Sequence, residues 1–456
     1  MRAWKYRQPA LIGLVVLALA GCAGGAADPA VDAQIKDPTT CQSFRAYGSL
    51  PGKTVSIFSN TIDRDADLFK KSLIEFQRCT GITVTYEGSN DFEQALGLRI
   101  QAGDQPDLVL MSQPGLVASL ARQGVILPPP KAVVDLVNKN WSADWRAYGT
   151  VGGKLYAAPA GASVKSLVWY SPKFFAANDL TPPRTWAEMI ALTQKLTKPG
   201  IKGAGAGFKP WCAGFSSGSA TGWPGTDWIE DLLLRSAGPG VYDQWVSHKI
   251  PFNDPEVQTA FNAAGQILRN EAFVNGGGGG VKSIDTVTYQ NGGLPILRNR
   301  CAMHRQASFY AASWPKSTVI AKDGDVFAFL LPPITPSKGQ AVLGAGDFVA
   351  AFSDRPAVQA LQTYLASGDW ATARAALGGF ATANKSLNQL VVNDPIQKLS
   401  VQALQAPDAT FRFDGSDLMP TAVGTKSFWA GMVDWINGAS TAEVTARIEA
   451  SWPTPK

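Results

Sequence analysis

Thr54-Val-Ser-Ile-Phe-Ser59, Ile82-Thr-Val-Thr-Tyr86 and Asp107-Leu-Val-Leu-Met111 are the segments whose reading decides the fold. The first two alternate along the chain as strands do, and the third is a continuous apolar run of the kind buried on both faces. Between them Leu68, Phe69, Leu73 and Phe76, and then Phe92, Leu96 and Ile100, recur at helical spacing. This β-α-β-α-β order predicts an α/β chain with a parallel sheet and ligand contacts in the loops after its strands. Those loops read Ser59-Asn60-Thr61-Ile62-Asp63, Gly88-Ser89-Asn90-Asp91 and Ser112-Gln113-Pro114-Gly115, rich in short side chains suited to hydroxyl groups. Helix capping competes with ligand binding at Asp63, Asn90 and Asp91 on equal terms.

Farther on, Lys154 to Pro172 is a strand pattern interrupted by small residues, suited to running between two lobes. Pro182-Pro-Arg-Thr-Trp186 introduces an amphipathic helix whose buried side is Trp186, Met189, Ile190 and Leu196. Lys209 to Asp231 places Trp211, Trp223 and Trp228 among glycines, serines and short polar residues, and reads as a shaped loop followed by a helix from Trp228. Indole faces stack on the apolar faces of sugar rings, and Ser217, Thr221 and Asp227 offer hydrogen bonds at the rim, although at least one of the three tryptophans is expected to be packing. Asn253 or Asp254 caps a further helix that has Pro255 in its first turn. Gly276 to Gly280 is a loop without phosphate-binding meaning. Arg305 and Gln306 are better pocket candidates than the lone His304. Strands are expected at Val326 to Leu331 and Gln340 to Phe352, and helices at 357–365, 371–377, 396–404 and 428–436.

The front end carries different information. Arg2, Lys5 and Arg7 precede an apolar run, Leu11 to Ala20, too short to span a bilayer comfortably. It ends in Leu19-Ala20-Gly21-Cys22, which resembles the lipobox of bacterial lipoproteins. The expectation is removal of residues 1–21, a lipid on Cys22, and a flexible tether over 22–41. No second apolar stretch is long enough to cross a bilayer, so the membrane is reached by the lipid alone. The 456-residue precursor has a net charge of +5, which falls by three to +2 without Arg2, Lys5 and Arg7, and nucleic acid is not an expected partner. Hydrophobic residues make up 45% and charged residues 17%, the composition of a globular protein long enough for two domains.

Apart from Cys22, four cysteines remain: Cys41, Cys79, Cys212 and Cys301. In an exported chain an even count predicts two disulfides, with three possible pairings. Keeping each bridge within one unit favours Cys41 with Cys79 and Cys212 with Cys301. No CxxC occurs, and His248 and His304 are the two histidines, so no metal site is expected. No cofactor is expected either.

The lipobox, Pro-Pro-Arg-Thr-Trp186, Gly222-Trp-Pro-Gly-Thr-Asp-Trp228, Cys301-Ala-Met-His-Arg-Gln306, Gly344-Ala-Gly-Asp347 and Phe411-Arg-Phe-Asp-Gly-Ser-Asp417 resemble segments of the extracellular solute-binding proteins of ABC sugar importers, most closely the α-glucoside-binding branch. The Gly276 to Gly280 run is longer than that branch's pattern. The resemblance implies a two-lobed periplasmic-binding-protein fold hinged at crossing segments near Ala160 to Ser166, Gly344 to Val349 and Gly379 to Lys385. It implies an N-terminal lobe of residues 42–160 and 349–380 and a C-terminal lobe of 161–348 and 381–456. It further implies a monomer, on the outer face of the cytoplasmic membrane, that closes on a sugar and delivers it unaltered to a permease. By position, the sugar contacts fall on Trp223, Asp227, Arg305, Gln306, Asp347, Asp417 and Trp429, with Asn60, Asp63, Asn90 and Gln113 supplied by the first lobe. Maltose, sucrose, trehalose, a maltodextrin or a charged glucoside paired with Arg305 are all open.

Two enzymatic readings compete. Gly214-Phe-Ser-Ser-Gly218 fits the G-x-S-x-G elbow of α/β-hydrolases, with His304 later in the chain as partner to Ser216. Yet Lys209-Pro-Trp211 precedes it and Thr221-Gly-Trp-Pro-Gly225 breaks the helix that should follow. Asp227, Glu230 and Asp231 offer a glycosidase's paired carboxylates, but acids in a first helical turn also favour the helix dipole.

Overall fold

The computed structural model describes residues 41–278, 280–334, 340–405 and 409–453. The leader, Cys22 and all of the expected tether except Cys41 lie outside the described residues. Two five-stranded mixed sheets dominate. The first has the order 83–88, 54–59, 108–111, 348–351, 157–159. Its first three strands are parallel, with Ile57 opposite Leu108, and Phe348–Ala351 then joins antiparallel, with Val349 opposite Leu110. The period-2 rule explains why these strands are so apolar. Val55, Ile57, Leu108 and Leu110 face one core with Phe69, Phe76, Tyr364 and Trp370, while Phe58, Val109 and Met111 face another with Phe92, Val117 and Trp145.

The second sheet has the order 274–275, 209–212, 301–305, 167–170, 327–330. A single large core surrounds it, including Trp169, Trp211, Trp228, Phe261 and Met303. Here the loop expected from Lys209 is shorter than the sequence suggested. Lys209–Cys212 is a strand, and the helix runs from Trp223 to Ser236 instead of starting at Trp228. Trp211 and Trp228 pack edge to face at 5.4 Å, and the Trp211 indole N–H donates to Thr193 Oγ1 at 2.9 Å, so both are core. Pro224 in the first turn starts the helix early without losing a hydrogen bond. Gly222 allows it: its φ is +111°, and a Cβ there would lie 2.1 Å from the Trp429 carbonyl oxygen. Cys301–Arg305 is also a strand, one that the sequence reading did not identify. Asp254 caps its helix, accepting from the Glu256 amide.

A three-stranded sheet lies on the segments that pass between the two large ones. Gln340–Ala345 pairs parallel with Ala409–Phe413 and antiparallel with Ser163–Val164. Ala162 bridges to Ala381, Ala160 N–H donates to the Asp347 carbonyl at 2.8 Å, and Lys165 N–H donates to the Leu343 carbonyl at 2.8 Å. The three segments expected to cross therefore run side by side and satisfy one another's backbone groups.

Among the described residues, no helix is long and apolar enough to cross a membrane. Cys212 and Cys301 form a disulfide across 89 residues of sequence, and Cys41 and Cys79 are each disulfide-bonded as well. Replacing both Cys212 and Cys301 by Ala should cost about 2–4 kcal/mol, because the unfolded chain regains the freedom of a long loop. Urea unfolding should show a lower midpoint, and an unchanged midpoint would contradict this account.

Candidate functional site

A cavity of about 400 Å³ lies between the two large sheets, with the crossing segments along one side. The loops after the first sheet's strands and the first turns of the helices that follow contribute Asn60, Asp63, Asn90, Glu93, Ser112 and Gln113. The second sheet's side contributes Ser217, Trp223, Tyr289, Phe309, Asp417 and Trp429, and the crossing segments contribute Lys165, Asp347 and Phe380. The rule that open sheets bind ligands beyond their strand ends is obeyed on the first-sheet side.

Apolar surface and polar groups alternate around this space. Trp223 is held edge to face by Tyr289 at 5.1 Å and leans on Phe309 at 6.0 Å. Trp429 is buried, yet its indole N–H has no protein partner, and the Gln113 side-chain oxygen is equally unpartnered. Buried polar atoms are seldom left so unless something else completes them. The first-sheet side of the site is organised by a relay: Asn60 Nδ2 donates to Ser112 Oγ at 3.1 Å, which donates to Asp347 Oδ1 at 2.8 Å. This ties the first sheet's loops to a crossing segment. Burial raises Asp347 to about 6, the Ser112 hydrogen bond opposing the rise. Burial likewise raises Glu93 to about 7 even though Gln113 Nε2 donates to it at 3.0 Å. Asp417 is pushed well up by burial and by its neighbour Asp414.

Lys165 anchors the floor. Its ammonium bonds Asp227 Oδ1 at 2.9 Å and Asp414, and it lies 5.1 Å from the Trp223 ring centroid. Burial opposes its charge, but Asp227 and Asp414 hold its pKa well above the ordinary lysine value. Asp414, despite burial, is held below the usual carboxylate range by Lys165 and by donors from Ser416 Oγ and the Asp417 amide. Asp227, Glu230 and Asp414 are the one group of acids among the described residues close enough to share a metal ion. Lys165 already places its charge between two of them, and Glu230 accepts the Gly415 and Ser416 amides at 2.9 and 3.0 Å.

Of the residues expected from sequence to meet a ligand, Asn60, Asp63, Asn90, Gln113, Trp223, Asp347, Asp417 and Trp429 line the cavity. Asp227, Arg305 and Gln306 do not: they form the layer behind its wall. Arg305 Nη2 donates to the Asp227 carbonyl at 2.8 Å and to Asp231 Oδ2 at 2.9 Å, so its charge is already balanced. Gln306 is tied to the wall through its oxygens, the side-chain oxygen accepting the Ala307 amide and the carbonyl accepting the Trp169 indole N–H, while its side-chain nitrogen is buried without a protein partner. Lys165 and Glu93 were missed by sequence reasoning. Lys165 had a signal: a single charge inside the buried run Val164-Lys-Ser-Leu-Val-Trp169 must find a partner. Glu93 had none, because an acid in a first helical turn is ordinary.

The enzymatic readings lack geometry. Ser216 is tied into a backbone bridge with Thr288 and does not line the cavity. His304 is fully enclosed, its Nδ1 3.0 Å from the Cys212 carbonyl oxygen and its pKa driven down to about 4 by burial. Asp227 is buried against Lys165 and Arg305, out of a substrate's reach.

Two measurements follow from these charges. Lys165→Met should destabilise the fold by about 3–5 kcal/mol, since Asp414 would remain buried without its cation and Asp227 would keep only the longer pairing with Arg305 at 3.5 Å. Denaturant unfolding checks this. Glu93 has a folded pKa raised from 4.5 to about 7, so its ionised form opposes folding above pH 7, and the opposition fades as pH falls toward 4.5. Glu93→Gln should therefore stabilise by about 1 kcal/mol at pH 8, a figure reduced because the group lines the open cavity, and by nothing near pH 4. Thermal melts at the two pH values compare them.

Residues 61–375 match the family described as bacterial extracellular solute-binding protein. The chain is 39% identical over 419 residues to the osmoprotective compounds-binding protein GgtB of Synechocystis sp., covering 91% of this chain and 96% of that one. It is also 39% identical over 429 residues to the alpha-glucosides-binding periplasmic protein AglE of Rhizobium meliloti, covering 91% and 90%. Among solved structures, the solute receptor AcbH superposes with a TM-score of 0.73 at 18% identity, over 88% of this chain and 97% of that one. Maltose-bound MalE3 of T. maritima superposes at 0.66 and 16% identity, over 88% and 98%. The two sheets, the segments between them and the cavity they border are thus the periplasmic-binding-protein fold. The chain belongs to the bacterial extracellular solute-binding proteins, non-catalytic components of transport.

Proposed function

We propose that this chain is the lipid-anchored receptor of an ABC importer and that it captures a small uncharged sugar, an α-glucoside, between two lobes built on the two large sheets. The observation that carries this reading is the cavity wall: Trp223 and Trp429 share it with amide and carboxyl side chains, and the Trp429 indole N–H and the Gln113 side-chain oxygen have no protein partner. Stacking surfaces beside hydrogen-bonding groups suit a polyhydroxylated ring. The similarity to AglE and GgtB supports it, one named for α-glucosides and the other for osmoprotective compounds.

The preference for an uncharged ligand comes from the charges. Glu93, Asp347, Asp414 and Asp417 all line the space. Lys165 is already engaged by two carboxylates, and Arg305 is spent behind the wall. Among the described residues, Arg64, on the exposed rim, is the remaining cation lining the cavity. An anionic glucoside would meet acids without a buried counter-charge. At about 400 Å³ the cavity is near the lower end of the roughly 300–1,000 Å³ typical of small-molecule sites, which favours one or two rings over a long maltodextrin.

Isothermal titration of the mature chain with maltose, sucrose, trehalose, maltotriose and an α-glucuronide tests this. At least one neutral α-glucoside should bind, the glucuronide at least about tenfold more weakly, and Trp223→Ala should weaken the best ligand by about tenfold or more, since a stacked aromatic contributes on the order of 1–2 kcal/mol. No binding by any neutral sugar would overturn the proposal. For the anchor, Cys22→Ser should release the protein from the membrane fraction, with fractionation as the readout.

A further inference from the structure

We propose that Asp91 is a clasp that holds the two lobes together over the cavity without touching the ligand, and so sets how long a captured sugar stays. The inference rests on the sugar-receptor reading above. Asp91 precedes the helix Phe92–Ala102 at its N-cap position, where an aspartate ordinarily accepts from its own helix, but here it makes no side-chain cap bond. Its Oδ1 instead accepts the Ser219 N–H at 2.8 Å, across 128 residues of sequence. Asp91 follows a strand of the first sheet and Ser219 follows a strand of the second, so the bond spans the cleft.

The receiving loop is shaped for this contact. Ser217 N–H donates to Thr221 Oγ1 at 3.0 Å, and Thr221 Oγ1 donates to the Gly218 carbonyl at 2.7 Å, a tight turn that presents the Ser219 amide outward. Gly218 has φ +57°, and a Cβ there would lie 2.6 Å from Asp91 Oδ1 and 3.1 Å from the Asn90 carbonyl oxygen. The approach fits glycine and closes against other residues. Asp91 itself does not line the cavity, but Asn90 beside it and Ser217 at the turn do. Making the bond therefore brings two rim groups from opposite sides to the ligand. A second contact across the rim, Gln290 Nε2 to Asp63 Oδ2, is longer at 3.5 Å. A bond of this kind stabilises the closed state alone, so its loss changes the open–closed balance and shortens residence while leaving encounter unaffected.

The test uses the mature chain as wild type, Asp91→Ala, Asp91→Asn, Gly218→Ala and the Asp91→Ala/Gly218→Ala double variant. Stopped-flow exchange measures association and release of the best neutral sugar, and spin labels at Lys53 and Lys198, on the exposed surface of either lobe, measure the separation with and without sugar. Asp91→Ala should release sugar about tenfold faster at an unchanged association rate, as expected for losing one charge-assisted hydrogen bond on an exposed rim. It should also broaden the ligand-free distances toward longer values. Asp91→Asn keeps an acceptor oxygen and should fall between. Gly218→Ala should speed release by itself but add less in the Asp91→Ala background, because the two changes remove one contact. Wild-type release and distances in Asp91→Ala would overturn the clasp while leaving the sugar reading intact. A wild type that binds no sugar would overturn the sugar reading, and the ligand-free distances would then decide the clasp by themselves.

Discussion

Lys165, enclosed between Asp227 and Asp414, is the interaction on which the rest of the structure depends. An ammonium removed from water costs several kcal/mol unless carboxylates and hydrogen bonds surround it, and here three distant parts of the chain must meet to do so. Lys165 belongs to the segment leaving the first sheet, Asp227 to the helix Trp223–Ser236, and Asp414 to the end of the strand Ala409–Phe413. The same helix reaches twice more. Asp231 accepts from Ser166 Oγ and from Arg305, and Glu230 accepts the amides of Gly415 and Ser416. Three acids at i, i+3 and i+4 lie on one helical face and fasten the crossing region to the second sheet.

That fastening decides what the cavity offers a ligand. With Lys165 and Arg305 neutralised from behind, the space in front is lined by indole and phenyl faces and by carboxyl and amide groups with capacity to spare. Such a wall offers donors and acceptors to hydroxyl groups in several directions, and among the described residues its buried cation, Lys165, is already paired with two carboxylates. A catalytic role would need a titratable group both exposed to the ligand and activated by a partner. Asp227 and His304, the groups that the sequence made suspicious, are instead locked inside the wall.

Part of this was legible in the sequence because it depends on local rules. Strands at 54–59 and 83–88 follow from period-2 patterning over a few residues, the strand at 108–111 follows from a continuous apolar run, and the Asp254 cap follows from chemistry within one turn. The shortened loop at 213–222 misled for an equally local reason. Glycines and serines around Trp211 and Trp223 look like an exposed loop, whereas the decisive signal was Pro224 in a helix's first turn.

What the sequence by itself determined was the alternation of strands and helices and the loops that follow the first sheet's strands, since those are properties of neighbours along the chain. What only the tertiary structure decided was the direction each polar side chain takes. Asp63 and Asp91 left their helices uncapped and turned outward, one lining the cavity mouth and the other reaching Ser219, while Asp227 and Arg305 turned inward to each other. Those choices depend on partners 62 to 249 residues away for Lys165, and on 128 for Asp91, and the free energy of a buried or bridging charge is settled only when such partners arrive.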